Sequence, residues 1–135
     1  MNPAILKRIV LPAWQYARGQ NSLELLPHLE KTQWLRPTEL MDLQWQRVGT
    51  LLQHAYENVP YYREIMRQNE ISPASLVRQR SLARLPLLSR STISQQSDRL
   101  RATNMPPRRF LPNGTGGATG EPLRFFEDRD GVGLG

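Results

Sequence analysis

The run Asn113-Gly114-Thr115-Gly116-Gly117-Ala118-Thr119-Gly120 places four glycines and two threonines within eight residues, and Glu121-Pro122 follows it. Glycine reaches positive φ without a Cβ clash, so successive main-chain N–H groups can converge into a concave anion site. The missing side chains leave room for a phosphate to approach. Thr115 and Thr119 add hydroxyl donors, and Pro122 fixes φ where the chain leaves the loop. The chemistry open to these residues is the holding of a phosphate by backbone amides. The competing reading is a glycine-rich hairpin tip that binds nothing.

Two phosphate-binding patterns fail on this run. G-x-x-x-x-G-K-[ST] needs lysine after its last glycine, and Glu121 stands there. G-x-G-x-x-G started at Gly114 meets Thr119 at its sixth place, with no helical pattern behind it.

A loop of this kind needs an element at each end. "PPRRFLP" and "PLRFFED" flank it as short strand-like pieces, so the reading is strand, loop, strand. The chain before Met105 is helical. Asn2-Pro3 reads as an N-cap and first helical position, with Ile5, Leu6, Ile9 and Val10 at helical spacing. The strongest pattern runs from about Thr38 to Asn58, where Leu40, Leu43, Val48, Leu51, Leu52 and Ala55 make one apolar face. Val59-Pro60 ends it, because the residue before proline is pushed out of the helical region. Pro60 opens a second helix, "YYREIMRQ", and Ser72-Pro73 a third. "SLARLPLLSRSTI" reads as a helical turn, a break at Pro86, and a new start at Ser89 or Ser91.

Length and charge bound the rest. The 135 residues make one domain at most. With no cysteine there is no thiolate chemistry, and His28 and His54 are too few for a His-based metal site. No stretch approaches the ~20 apolar residues of a membrane span, and the N-terminal apolar run, broken by Pro12, is no secretion signal. The expected location is the cytoplasm. The net charge of +6 is concentrated: residues 71–110 hold eight arginines against Asp98 alone. Such a segment can hold a polyanion or can be a solvated face. No aromatic residues interleave with the arginines, so base-stacking platforms are missing. Trp34 and Trp45 read as packing residues, His54 and its neighbouring tyrosines as structural, and Glu121, Asp128 and Asp130 as solvated carboxylates.

The glycine run resembles the phosphate-binding motif of the adenylate-forming enzymes, [ST]-[SG]-G-[ST]-T-G-x-P. Thr115, Gly117, Thr119, Gly120 and Pro122 fall on it, Ala118 replaces a hydroxyl residue, and Leu123 stands where many members carry lysine. "LEKTQWLRPTEL", "LLQHAYENVPYYRE" and "SLARLPLLSRSTI" occur in the order of the N-terminal region of the phenylacetate–CoA ligase and CapK-like branch.

The resemblance implies carboxylate activation by MgATP to an acyl-adenylate, then transfer to coenzyme A. It makes Thr115, Gly116, Gly117, Ala118, Thr119 and Gly120 the ATP-phosphate contacts, and it assigns no catalytic or metal-ligating residue to this chain. The implied fold is α+β: a helical segment over 1–104, then a hairpin over 105–135 that begins the AMP-binding core of a larger α/β fold. Three charge-assisted bonds give ~5–9 kcal/mol gross, while ordering the loop costs ~1–2 kcal/mol per residue. The loop alone therefore binds weakly. Adenine, ribose, metal and the family's catalytic lysine belong to later motifs, so the chain is expected to be an N-terminal fragment, inactive alone. A small basic polyanion- or nucleic-acid-binding module is the alternative.

Overall fold

The computed structural model describes residues 22–116 and 122–128. In chain order these form α1 (Ser22–Thr32), α2 (Pro37–Asn58), α3 (Pro60–Gln68), α4 (Pro73–Gln79), α5 (Arg90–Gln95), a 3-10 turn (Pro107–Arg109), β1 (Phe110–Gly114) and β2 (Arg124–Asp128). The architecture is α+β, helix-rich with a two-stranded antiparallel hairpin.

The helix boundaries follow from local chemistry. Pro37 opens α2 at the position where a missing N–H costs nothing. Arg36 precedes it in extended conformation, and the Glu39 carboxylate reaches back to accept from the Arg36 N–H (2.9 Å) and guanidinium (2.8 Å). This is the reciprocal half of a capping box. Val59, at φ −108° and ψ 109°, ends α2 ahead of Pro60, which opens α3. Ser72 Oγ caps α4 by accepting from the Ser75 N–H (3.2 Å), and Ser89 Oγ caps α5 by accepting from Thr92 (3.0 Å).

The core lies where α2 meets α3 and α4. Leu52, Met66, Ile71 and Leu76 are buried there, with Val48, Tyr56, Val77 and Leu85 packed around them. Gly49 lets α4 approach: a Cβ at that position would stand 3.1 Å from Val77 Cγ2. Two backbone bonds tie this core to the chain leading into the hairpin. The Tyr61 N–H donates to Arg99 O (3.0 Å), and the Thr103 N–H to Asn58 O (2.8 Å).

The hairpin pairs Phe110 with Asp128 at one end and Gly114 with Arg124 at the other. α5 packs on β2. Phe126 meets the edge of Phe110 (6.5 Å between centroids, 78°), and the Arg101 guanidinium stands 4.8 Å from its ring centroid.

Several expectations need correction. "PPRR" is a 3-10 turn rather than strand, since prolines deny the ladder its donors and β1 begins only at Phe110. Residues 82–85 form a turn closed by Leu85 N–H to Leu82 O, not a helical turn. α1 falls within the helical segment expected over 1–104 but was given no bounds of its own, and Pro27 lies inside it. Trp34 is 82% exposed, so it is no packing residue, and Leu51 in the anticipated apolar face is 65% exposed. α2 turns only part of that face to α3 and α4. The helix expected at Asn2 lies outside the described residues.

Candidate functional site

The hairpin mouth is built by Thr115. Its N–H donates to Leu123 O (3.0 Å), and its Oγ1 accepts from the Leu123 N–H (3.1 Å). Two bonds thus close the two arms beyond the last ladder pair, Gly114 with Arg124. Accepting through oxygen leaves the hydroxyl proton free to donate elsewhere. Gly114 is tightly held: its N–H donates to Asn113 Oδ1 (2.7 Å), and a Cβ there would come within 3.3 Å of Leu123 O. Gly116 is the opposite case: among the described residues other than its chain neighbours, no atom lies within 4 Å of an added Cβ.

An open cavity of about 620 Å³ borders this mouth, lined by Pro112 to Gly116 on one arm and by Pro122 and Arg124 to Phe126 on the other. A second, of about 490 Å³, is lined by Ser94, Ser97, Pro122 and Arg124. A smaller recess of about 90 Å³ lies between α5 and β2, walled by Ile93, Leu100, Phe125 and Phe126 with Ser97 and Arg101 at its edge.

Of the six residues expected to contact phosphate, Thr115 and Gly116 stand together at the mouth, both exposed. Gly117, Ala118, Thr119 and Gly120 lie outside the described residues. Asp128 pairs with Arg109 (3.4 Å) at the far end of the hairpin, while Glu121 and Asp130 are not described. No group of three or more His, Cys, Asp or Glu that could hold a metal occurs among the described residues. The motif residues of α2 and α3 have structural tasks. Asn58 Nδ2 donates to His54 O (3.1 Å), and Tyr61 and Tyr62 meet edge to face at 5.5 Å. Burial, and secondarily Tyr61, pushes the Tyr62 hydroxyl above its ordinary 10.0.

Sequence reasoning missed Ser94, Ser97 and Arg124. The one available signal was positional: Arg124 is the first residue of the strand that leaves the loop. That α5 packs against this strand is a tertiary fact.

The arginine-rich segment is largely engaged with the protein itself. Arg80 pairs with Asp42, Arg101 with Asp98 and Arg109 with Asp128. Arg84 donates to the carbonyls of Asn69 (3.3 Å) and Glu70 (3.5 Å), and Arg99 to Gln96 Oε1 (3.2 Å). No helix among the described residues is long and apolar enough to cross a membrane. No protein-family model matches the chain, and no curated protein matches it.

Proposed function

We propose that this chain carries the polyphosphate-gripping hairpin of an AMP-forming acid–CoA ligase of the phenylacetate–CoA ligase and CapK-like branch. Residues 1–104 are its helical N-terminal part and 105–135 the start of its nucleotide-binding core. In this reading ATP lays its β- and γ-phosphates on the amides of residues 115–120, and Mg²⁺ and coenzyme A are bound with the help of later motifs. The full enzyme activates a carboxylic acid in the cytoplasm. The hairpin's task is to stabilise charge on the departing pyrophosphate through backbone donors. The chain alone turns nothing over.

The observation that carries this reading is the hairpin mouth. The two strands end at the start of the glycine run, with Thr115 bonded across the neck and, among the described residues other than its chain neighbours, no atom within 4 Å of a Cβ added at Gly116. The motif match and the order of the upstream segments support the same family. Titrating MgATP into the chain by calorimetry tests it. Weak binding is expected, together with its loss in Gly116→Val, which adds bulk where nothing clashes. Equal binding by that variant would contradict the reading. ATP–pyrophosphate exchange with a panel of carboxylic acids is expected to be silent for the chain alone.

The polyanion-binding alternative draws on the arginines of residues 71–110. Arg80, Arg84, Arg99, Arg101 and Arg109 already serve groups of this chain, which leaves less of that charge for a partner. Tight, salt-sensitive DNA binding would favour the alternative.

A further inference from the structure

Arg124 differs from those arginines. It is exposed at the first position of β2, and among the described residues its side chain makes no hydrogen bond or ion pair. It stands on the rim shared by the two larger depressions, the one at the hairpin mouth and the one lined by Ser94, Ser97 and Pro122. α5 packs on β2 and so brings Ser94, in its last turn, and Ser97, just beyond it, to the same wall. No described carboxylate lines either depression.

We propose that Arg124, Ser94 and Ser97 form an oxyanion-binding point beside the glycine loop, which takes one phosphate group of a di- or triphosphate. The polyphosphate as ligand class rests on the function proposed above; the point itself is argued from these three side chains. A guanidinium offers a planar fork of donors matched to two phosphate oxygens, and each serine adds a hydroxyl donor. Arg124 is held at the strand's start by the ladder pair with Gly114. Its backbone position therefore lies on the strand that leaves the hairpin mouth, across from Gly114.

Calorimetric titration of the full chain with inorganic pyrophosphate at low ionic strength tests the point. Arg124→Gln is expected to weaken binding about tenfold or more, as loss of charge-assisted bonds does. Arg124→Lys should retain part of the affinity, and the double variant Ser94→Ala, Ser97→Ala should weaken it less than Arg124→Gln. Arg108→Gln removes the same charge from the turn before β1, at the opposite end of the hairpin, and should leave binding unchanged. Unaltered binding by Arg124→Gln, equal weakening by Arg108→Gln, or no binding by the native chain would each overturn the proposal. Orthophosphate and MgATP as parallel probes separate a free-phosphate site from a nucleotide site. Gly116→Val distinguishes this point from the loop. If that variant binds normally while Arg124→Gln does not, the oxyanion point stands and the loop reading falls. The reverse pattern removes the point and keeps the loop.

Discussion

Thr115 holds the neck of the hairpin through its hydroxyl oxygen, so its side chain can be tested apart from any ligand. Thr115→Val keeps the shape but leaves the Leu123 N–H without its acceptor, at a cost of about 1 kcal/mol. Amide exchange at Leu123 should quicken in Thr115→Val and stay slow in Thr115→Ser. No change in Thr115→Val would mean that the 3.1 Å bond holds nothing. Tyr62 gives a second test at this scale. Its hydroxyl ionises above 10.0 in the folded chain because burial, aided by Tyr61, disfavours the phenolate. The folded state thus holds the proton more tightly than the unfolded one. The stability from this group is complete below pH 10 and is lost as pH rises through the folded value. Tyr62→Phe should therefore flatten the alkaline fall in stability above pH 10, followed by circular dichroism. The Arg36–Glu39 contact works at the other end of the scale. Arg36's guanidinium, then its backbone N–H, holds the Glu39 carboxyl below its ordinary 4.5, so that contact weakens only as pH falls below that value.

At the scale of elements, α2 is the scaffold on which α3 and α4 pack, and Gly49 sets how closely α4 approaches. Gly49→Leu should destabilise the chain by about 1–3 kcal/mol through overpacking against Val77, measured by urea denaturation. Gly49→Ala is nearer to neutral, because its gain in helix propensity opposes a 3.1 Å contact that Val77 must relieve. α2, α3, α4 and the start of α5 were legible from the sequence, since prolines and serines there act through local geometry. The two strands were legible in part: Phe110–Pro112 and Arg124–Asp128 fall within the strand-like pieces, whereas the prolines and arginines before Phe110 do not join the ladder. The bounds of α1 were not legible, since no cap or apolar pattern marked them, and Trp34, expected to pack, is 82% exposed. The site was legible in part. Thr115 and Gly116 could be named from the glycine pattern, whereas Ser94, Ser97 and Arg124 meet only because α5 packs on β2.

At the scale of the whole molecule, the described core is small: Leu52, Val59, Met66, Ile71 and Leu76 are buried, and Pro73, beside them in the sequence, is also buried. Large apolar side chains such as Leu26, Leu29, Leu51 and Leu87 remain exposed among the described residues. Net stability is a small difference between large terms, so the loss of one fully buried side chain is felt. Leu76→Ala, which removes a side chain with no exposed surface, should cost about 2–5 kcal/mol and leave the chain largely unfolded at 37 °C. A cooperative, native-like melt in that variant would mean that the stabilising contacts lie elsewhere. The chain leading into the hairpin is joined to this core by the Tyr61–Arg99 and Asn58–Thr103 bonds, so a loosened core would also loosen the site.

The most direct measurement is an amide-resolved NMR titration of the isotopically labelled chain with MgATP. The account predicts saturable shifts concentrated at residues 114–124, with little change on α2 and α4. Shifts spread over the arginines of residues 71–110 with Thr115 and Gly116 unmoved, or no shifts at millimolar nucleotide, would contradict it.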